Sequence, residues 1–215
     1  MKVGTDAVLL GAWAQASEHA RILDIGTGCG VIALMMAQRY PLSRVTGIDV
    51  DEASIEEANL NAHNANRVGQ VDFHAEDLRA HHVPLPYDCI VCNPPYFTED
   101  TLPPDERRAR ARNSSALSFS ELVKAAARLL HPAGLFSVVL PTKETDAFTA
   151  ECLVAGLHLV RRCDVRTTPR KQPKRSLLTF SPTPTNDLSL ESLTLMNPDG
   201  SRSEAYATLC HDFYL

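Results

Sequence analysis

Four consecutive residues, Asn93-Pro94-Pro95-Tyr96, set a carboxamide, two rigid prolines and an aromatic ring directly after an apolar run, Tyr87 to Cys92. The run reads as a buried strand, and prolines, which bring no N–H to a ladder, must end it. Their carbonyls then lie outside regular pairing. The Asn93 side-chain oxygen is an acceptor, and the Tyr96 ring is a flat apolar platform. A planar amine laid on that ring would find acceptors for both its hydrogens. Taken alone, the same four residues are a strand-terminating turn.

A second set supplies a partner for that amine. In Asp24-Ile25-Gly26-Thr27-Gly28-Cys29-Gly30, the glycines let backbone pass close to a ligand. The order is G-x-G-x-G, and Val31 stands where a dinucleotide fingerprint has a small residue. Asp24 would also repel a pyrophosphate. Both features disfavour NAD and suit a ligand with a positive centre and an amino group. Asp49 closes the next strand, where a carboxylate can accept both hydroxyls of a ribose. Asp51 and Glu52 read as acids at a helix start. Asp77 follows the third strand and can accept from the amino group of an adenine; alone it is a turn residue. Together these residues describe a pocket for S-adenosyl-L-methionine. Its expected contacts are Asp24, Gly26, Thr27, Gly28, Gly30, Asp49, Asp77 and Asn93.

Alternating elements must carry these residues. Strands are expected at Arg21–Ile25, Arg44–Asp49, Val71–His74, Tyr87–Cys92, Leu135–Leu140, Leu157–Val165 and Arg175–Phe180, with Leu188–Met196 as a late edge strand. Helices are expected at Thr5–Ala16, capped by Thr5, and at Val31–Arg39, Glu52–Asn64, Ser118–Leu130 and Lys143–Ala155. Ser118 and Glu121 have capping-box spacing, and His131-Pro132-Ala133-Gly134 stops that helix. Trp13 reads as core. The end, Tyr206 to Leu215, is expected to dock. This alternation indicates a parallel α/β sheet with helices on both faces, and such sheets bind ligands beyond the carboxyl ends of their strands. No repeat or linker divides the chain, so residues 1–215 read as one domain.

The chain has 215 residues and a formal charge of −5, which argues against a globally basic coat. Two local basic clusters stand out: Arg107, Arg108, Arg110 and Arg112 after the Asn93–Tyr96 motif, and Arg161, Arg162, Arg166, Arg170, Lys171, Lys174 and Arg175. Phosphate contact is the expectation for the second, with Arg170, Lys171 and Lys174 as substrate-binding residues; solvated loops are the alternative. Cys89 and Cys92 lie on one strand and face opposite sides, so no zinc site is expected. All six cysteines read as reduced thiols of a cytoplasmic protein. His81-His82 reads as a solvated loop. No apolar run approaches the ~20 residues of a membrane span.

In their order, Asp24–Gly30, Asp49, Asp77 and Asn93–Tyr96 resemble class I S-adenosylmethionine-dependent methyltransferases acting on exocyclic or amide nitrogens, over nearly the whole chain. Met1-Lys2-Val3-Gly4-Thr5-Asp6, Leu9-Leu10-Gly11-Ala12-Trp13, Leu140-Pro141 and Asp212-Phe213-Tyr214-Leu215 are similar to one subfamily, the bacterial tRNA1(Val) adenine-N6 methyltransferases. Its members usually carry a further stretch before the Lys-Val-Gly-Thr-Asp block. The resemblance implies a Rossmann-like, mostly parallel seven-stranded sheet, tRNA as partner and adenine 37 as target. A monomer without membrane attachment or metal is expected. It also implies a catalytic set of Asn93, Pro94 and Tyr96. The Asn93 oxygen and Pro94 carbonyl would accept the two N6 hydrogens, and Tyr96 would stack on the base, with Phe97 either supporting its other side or merely packing. The same four residues occur in methyltransferases of a release-factor glutamine, which usually have an N-terminal helical domain absent here. Guanine-N2 RNA and adenine DNA methyltransferases are further relatives by chemistry. Intact Asn93 and Tyr96 argue against a non-catalytic binding module.

Overall fold

The computed structural model describes residues 4–94 and 117–213. In chain order the elements are α1 (Thr5–Trp13), β1 (Arg21–Ile25), α2 (Val31–Arg39), β2 (Arg44–Asp49), α3 (Glu52–Asn64), β3 (Val71–Ala75) and β4 (Tyr87–Cys92). After the undescribed stretch come α4 (Phe119–Leu129), β5 (Leu130–Pro141), a 3-10 turn (Thr142–Glu144), α5 (Thr145–Val154), β6 (His158–Arg166), β7 (Arg175–Ser181), β8 (Ser189–Thr194) and α6 (Glu204–Leu209).

The sheet has eight strands in the order β3-β2-β1-β4-β5-β7-β6-β8. The resemblance implied seven. The eighth is the late stretch near Leu188, which stands at the sheet edge as expected and pairs in parallel with β6. β7 is antiparallel to both of its neighbours, so β6 runs in the same direction as β5. The carboxyl ends of β1 to β6 and β8 therefore share one edge.

Period-two alternation sends the strand side chains into two cores. On β4, Cys89 and Val91 join the core formed with α1, α2, α3 and α6, while Ile90 and Cys92 join the one beneath α4 and α5. The two cysteines thus face opposite sides, as expected, and all six are buried free thiols. In the second core Phe136, Phe148 and Phe180 are fully buried, and Phe119 meets Phe148 edge-on at 5.0 Å between centroids. Each such ring contributes about 1.5–3 kcal/mol by leaving water. Trp13 is core, and Tyr206 docks α6 onto the first core.

Local signals held in most places. Ser118 and Glu121 form the reciprocal cap of α4, and Asp51 caps α3 through Ser54. Three expectations need correction. Thr5 is the first helical residue of α1 rather than its cap; Gly4 holds the cap position without a side-chain bond, and the helix ends at Trp13. His131–Gly134 do not separate helix from strand: β5 starts at Leu130, and these residues protrude as a bulge between the Tyr87–Leu130 and Cys89–Leu135 pairs. His81 is not solvated. It is buried, with Nδ1 2.8 Å from Glu76 and Nε2 3.0 Å from the Tyr87 hydroxyl.

Phe73 of β3 sets the spacing beneath the glycine turn. A Cβ at Gly47 would stand 2.5 Å from the Phe73 ring and 2.8 Å from the Thr27 hydroxyl, and one at Gly30 would stand 2.7 Å from the same ring. Two glycines thus make the slot for one aromatic side chain. Gly47→Ala should destabilise the fold by about 1–3 kcal/mol through overpacking, read as a lowered urea midpoint. Adding Phe73→Leu should recover part of that loss; a midpoint indifferent to Gly47→Ala would show that the ring is not confined.

Candidate active site

Sheet register brings the sequence motifs together. Ile25 pairs with Ile48 on one side and Cys92 on the other, and Asp49 pairs with Ala75. The next residues out, Gly26, Asp49, Asn93 and the Glu76-Asp77 pair, therefore line the carboxyl edge of four adjacent strands.

The glycine turn is held from within. Gly26 and Gly30 have φ of 67° and 81°, a region that side-chain-bearing residues rarely adopt. The N–H groups of Gly26 and Thr27 donate to the Ile48 carbonyl, that of Gly30 to Thr27, and that of Gly28 to Asp49 Oδ2 at 2.9 Å. Asn61 of α3 holds the Cys29 carbonyl at 2.9 Å. With those donors engaged, the loop is not a phosphate-binding nest. This agrees with the disfavouring of NAD read from Val31 and Asp24.

Asp24 lies wholly beneath this turn. Its Oδ2 accepts from the Thr27 hydroxyl at 2.6 Å and the Ala33 N–H at 3.1 Å. Burial pushes its carboxyl up to about 7, against those two bonds, and Asp49 adds to the rise. Its Oδ1 is buried without a hydrogen-bond partner among the described residues. Thr27 turns its hydroxyl inward to Asp24, so both residues support the turn.

Asp49 is half-buried and accepts from the N–H groups of Gly28 and Asp51, one on each oxygen. A carboxylate has about four lone-pair sites, so each oxygen can still accept a ribose hydroxyl. Asp77 is gripped by Arg79, whose Nη2 is 2.6 Å and Nε 3.0 Å from it. These bonds hold the Asp77 carboxyl below the usual carboxylate range. Arg79 also reaches Glu121 of the α4 cap at 3.7 Å. Arg79, Asn61 and Phe73 were not singled out from sequence. Arg79 had a signal, a cation two residues after Asp77; the other two had none.

The donor and acceptor set fits S-adenosyl-L-methionine. Asp24 Oδ1 is a buried acceptor in need of a donor. Asp49 keeps acceptor capacity, and beyond its chain neighbours no atom of the described residues lies within 4 Å of where a Gly26 Cβ would stand. Pro94 is buried and Asn93 half-buried at the end of β4. Pro95, Tyr96, Phe97 and the cluster Arg107, Arg108, Arg110 and Arg112 lie outside the described residues.

The second basic cluster divides. Arg161 pairs with Glu191 at 2.5 Å and lies over the Trp13 ring at 4.0 Å. Arg162 pairs with Asp164 at 2.9 Å and Arg175 with Asp6 at 2.7 Å. These three are engaged in ion pairs within the fold. Arg170, Lys171 and Lys174 are exposed in the β6–β7 hairpin. Among the described residues no group of three or more histidine, cysteine or acidic side chains could hold a metal, and no helix is long and apolar enough to cross a membrane.

Residues 3–149 match the methyltransferase small domain. The whole chain is 40% identical over 215 residues to a tRNA1(Val) (adenine(37)-N6)-methyltransferase of Phocaeicola vulgatus, covering 91% of it. It is 38% identical over 216 residues to the protein of that name from Pseudoalteromonas translucida, covering 92%. Among solved structures, one described as a predicted O-methyltransferase from Agrobacterium tumefaciens shares the fold, with TM-score 0.73, 18% identity and 96% coverage of both chains.

Asp24 gives the turn a pH signature. Its folded carboxyl titrates near 7 rather than 3.8. Between those values the folded chain holds a proton that the unfolded chain has released, so stability falls as pH rises through the window. Asp24→Asn removes the titration and keeps the acceptor. The stability of this variant relative to wild type should therefore rise by about 2–3 kcal/mol from pH 5 to pH 8 in urea unfolding. A difference that stays flat with pH would count against burial as the dominant influence.

Proposed function

Because the chain belongs to the family of tRNA1(Val) (adenine(37)-N6)-methyltransferases, which it matches from end to end, we propose that it methylates N6 of adenine 37 in tRNA1(Val), with S-adenosyl-L-methionine as methyl donor. One observation carries this activity beyond family membership. The register sets Asn93 beside the glycine turn, one residue past the rung of Ile25 and Cys92, so that an amine held by Asn93 faces the methyl-donor side of the sheet.

The bound cofactor supplies a methyl group on a positively charged sulfur. The chain's own residues do the rest. Asp49 accepts ribose hydroxyls, and Asp77, set by Arg79, accepts from the adenine amino group of the cofactor. Gly26, Gly28 and Gly30 let the turn pass close, with Asp24 and Thr27 bracing it from below. The substrate N6 is a poor nucleophile because its lone pair is delocalised into the ring. Acceptance of its two hydrogens by the Asn93 oxygen and the Pro94 carbonyl favours a pyramidal nitrogen with its lone pair aimed at the methyl. Those bonds strengthen as positive charge develops on nitrogen, so they act mainly in the transition state. Tyr96 stacks on the extruded base, worth about 1–3 kcal/mol, with Phe97 on its other side. The exposed cations Arg170, Lys171 and Lys174 hold tRNA phosphates. The chain acts as a single domain and a monomer in the cytoplasm.

Incubation with labelled S-adenosyl-L-methionine and total tRNA from a strain lacking the enzyme should yield N6-methyladenosine on nucleoside mass spectrometry. Asn93→Ala should lower turnover about 10²–10³-fold and leave cofactor affinity within a few-fold. Label confined to release factor, or wild-type turnover by Asn93→Ala, would sink this activity. Reversing charge at Arg170, Lys171 and Lys174 together should weaken tRNA binding and lower its salt slope by about three. Unchanged binding would remove the hairpin from the RNA surface.

A further inference from the structure

Of the strand-borne cations in the second basic cluster, Arg166 alone is paired with no acid among the described residues. It ends β6 and is half-buried, and its Nε is shut off from solvent with no hydrogen-bond partner among the described residues. Its guanidinium makes no hydrogen bond or ion pair with any described residue. The nearest acid on its strand, Asp164, accepts both Arg162 Nε at 2.9 Å and the Ser176 hydroxyl at 2.6 Å on one oxygen. A guanidinium does not shed its charge, so partial burial without an anion costs stability. A cation kept under that cost points to an anion that arrives from outside.

Topology says where such an anion would sit. β6 runs with β5 and β4, so Arg166 lies on the carboxyl edge that also carries Asn93 and Gly26. Three strand spacings, about 14 Å, separate its strand from β4. The hairpin leaving Arg166 carries the exposed Arg170, Lys171 and Lys174. It is tied to the end of β5 by the bond from the Thr142 N–H to the Lys174 carbonyl at 3.2 Å.

We propose that Arg166 is the anchor of the RNA-binding edge: its guanidinium pairs with a backbone phosphate of the tRNA near the target nucleotide. The proposal rests on the tRNA reading of the active site. The exposed cations of the hairpin steer and screen, whereas Arg166, restrained by its strand and partly dehydrated, fixes register. An arginine suits this role because its planar fork can hold two phosphate oxygens at once.

The test measures tRNA binding by the full chain across 50–300 mM KCl, with cofactor binding and thermal unfolding in parallel, for wild type, Arg166→Gln and Arg166→Lys. Arg166→Gln should weaken tRNA binding by about 5–10-fold at 100 mM salt and lower the slope of log affinity against log salt by about one. Its cofactor affinity should stay within twofold of wild type, and its Tm should be unchanged or higher. Arg166→Lys should restore the slope and only part of the affinity. A wild-type slope in Arg166→Gln, or weakened tRNA binding accompanied by falls in Tm and cofactor affinity, overturns the anchor and makes Arg166 a fold residue. A wild-type protein that binds cofactor but no tRNA overturns the tRNA reading and the anchor with it.

Discussion

Ile25 stands between Ile48 and Cys92 on three adjacent strands, β2, β1 and β4, and this rung governs the site. Parallel pairing makes strand ends meet at one edge, so residues from three distant stretches are brought together by the register of the sheet. The glycine turn, Asp49 and Asn93 are each within one residue of the rung. A slip of one residue in β4 would turn every β4 side chain to the other face, exchanging Cys89 and Val91 with Ile90 and Cys92 between the two cores. Close packing on both faces resists that slip, because the exchanged side chains differ in volume and shape. The geometry of the candidate active site is thus enforced by hydrophobic packing away from it.

The turn beyond the rung depends on a buried acid. Asp24 ties the Thr27 hydroxyl to the first turn of α2, and Asp49 takes the Gly28 N–H. Both carboxylates are internal struts as well as candidate contacts for a ligand. This dual use follows from acceptor capacity: Asp49 takes one protein donor on each oxygen and keeps a lone pair on both, whereas Asp24 takes both of its donors on Oδ2 and keeps Oδ1 for another. Asp24 carries the cost as a raised pKa, and a cationic ligand near its unpaired oxygen would favour the ionised form.

Charge is arranged by position rather than by total. The chain is acidic overall, yet its second basic cluster falls on one side of the sheet edge. Where these cations lie within β6 and at the start of β7 they are mostly matched, as in Arg161 with Glu191 and Arg175 with Asp6. Toward the β6–β7 hairpin the matching stops. Such a gradient leaves positive potential at the exposed hairpin and neutralises it within the strands.

The strands, the order of motifs and the α4 cap were legible in the residues because they rest on local constraints: period-two burial, glycine at positive φ, proline without an N–H, and a serine three residues before a glutamate. The eighth strand was visible as an alternating edge strand and does stand at the edge, but its partner was not visible, since pairing with β6 depends on residues elsewhere in the chain. His81 was misjudged because Tyr87 and Glu76, which make its burial tolerable, become its neighbours only when the chain folds back. The same holds for the cations. By itself the sequence determined which chemistry was available at the sheet edge: a carboxamide, a glycine turn and two strand-end acids. Only the tertiary structure decided which charged groups were already engaged, because ion pairs such as Arg161 with Glu191 join residues 30 positions apart and leave no periodic trace in the chain.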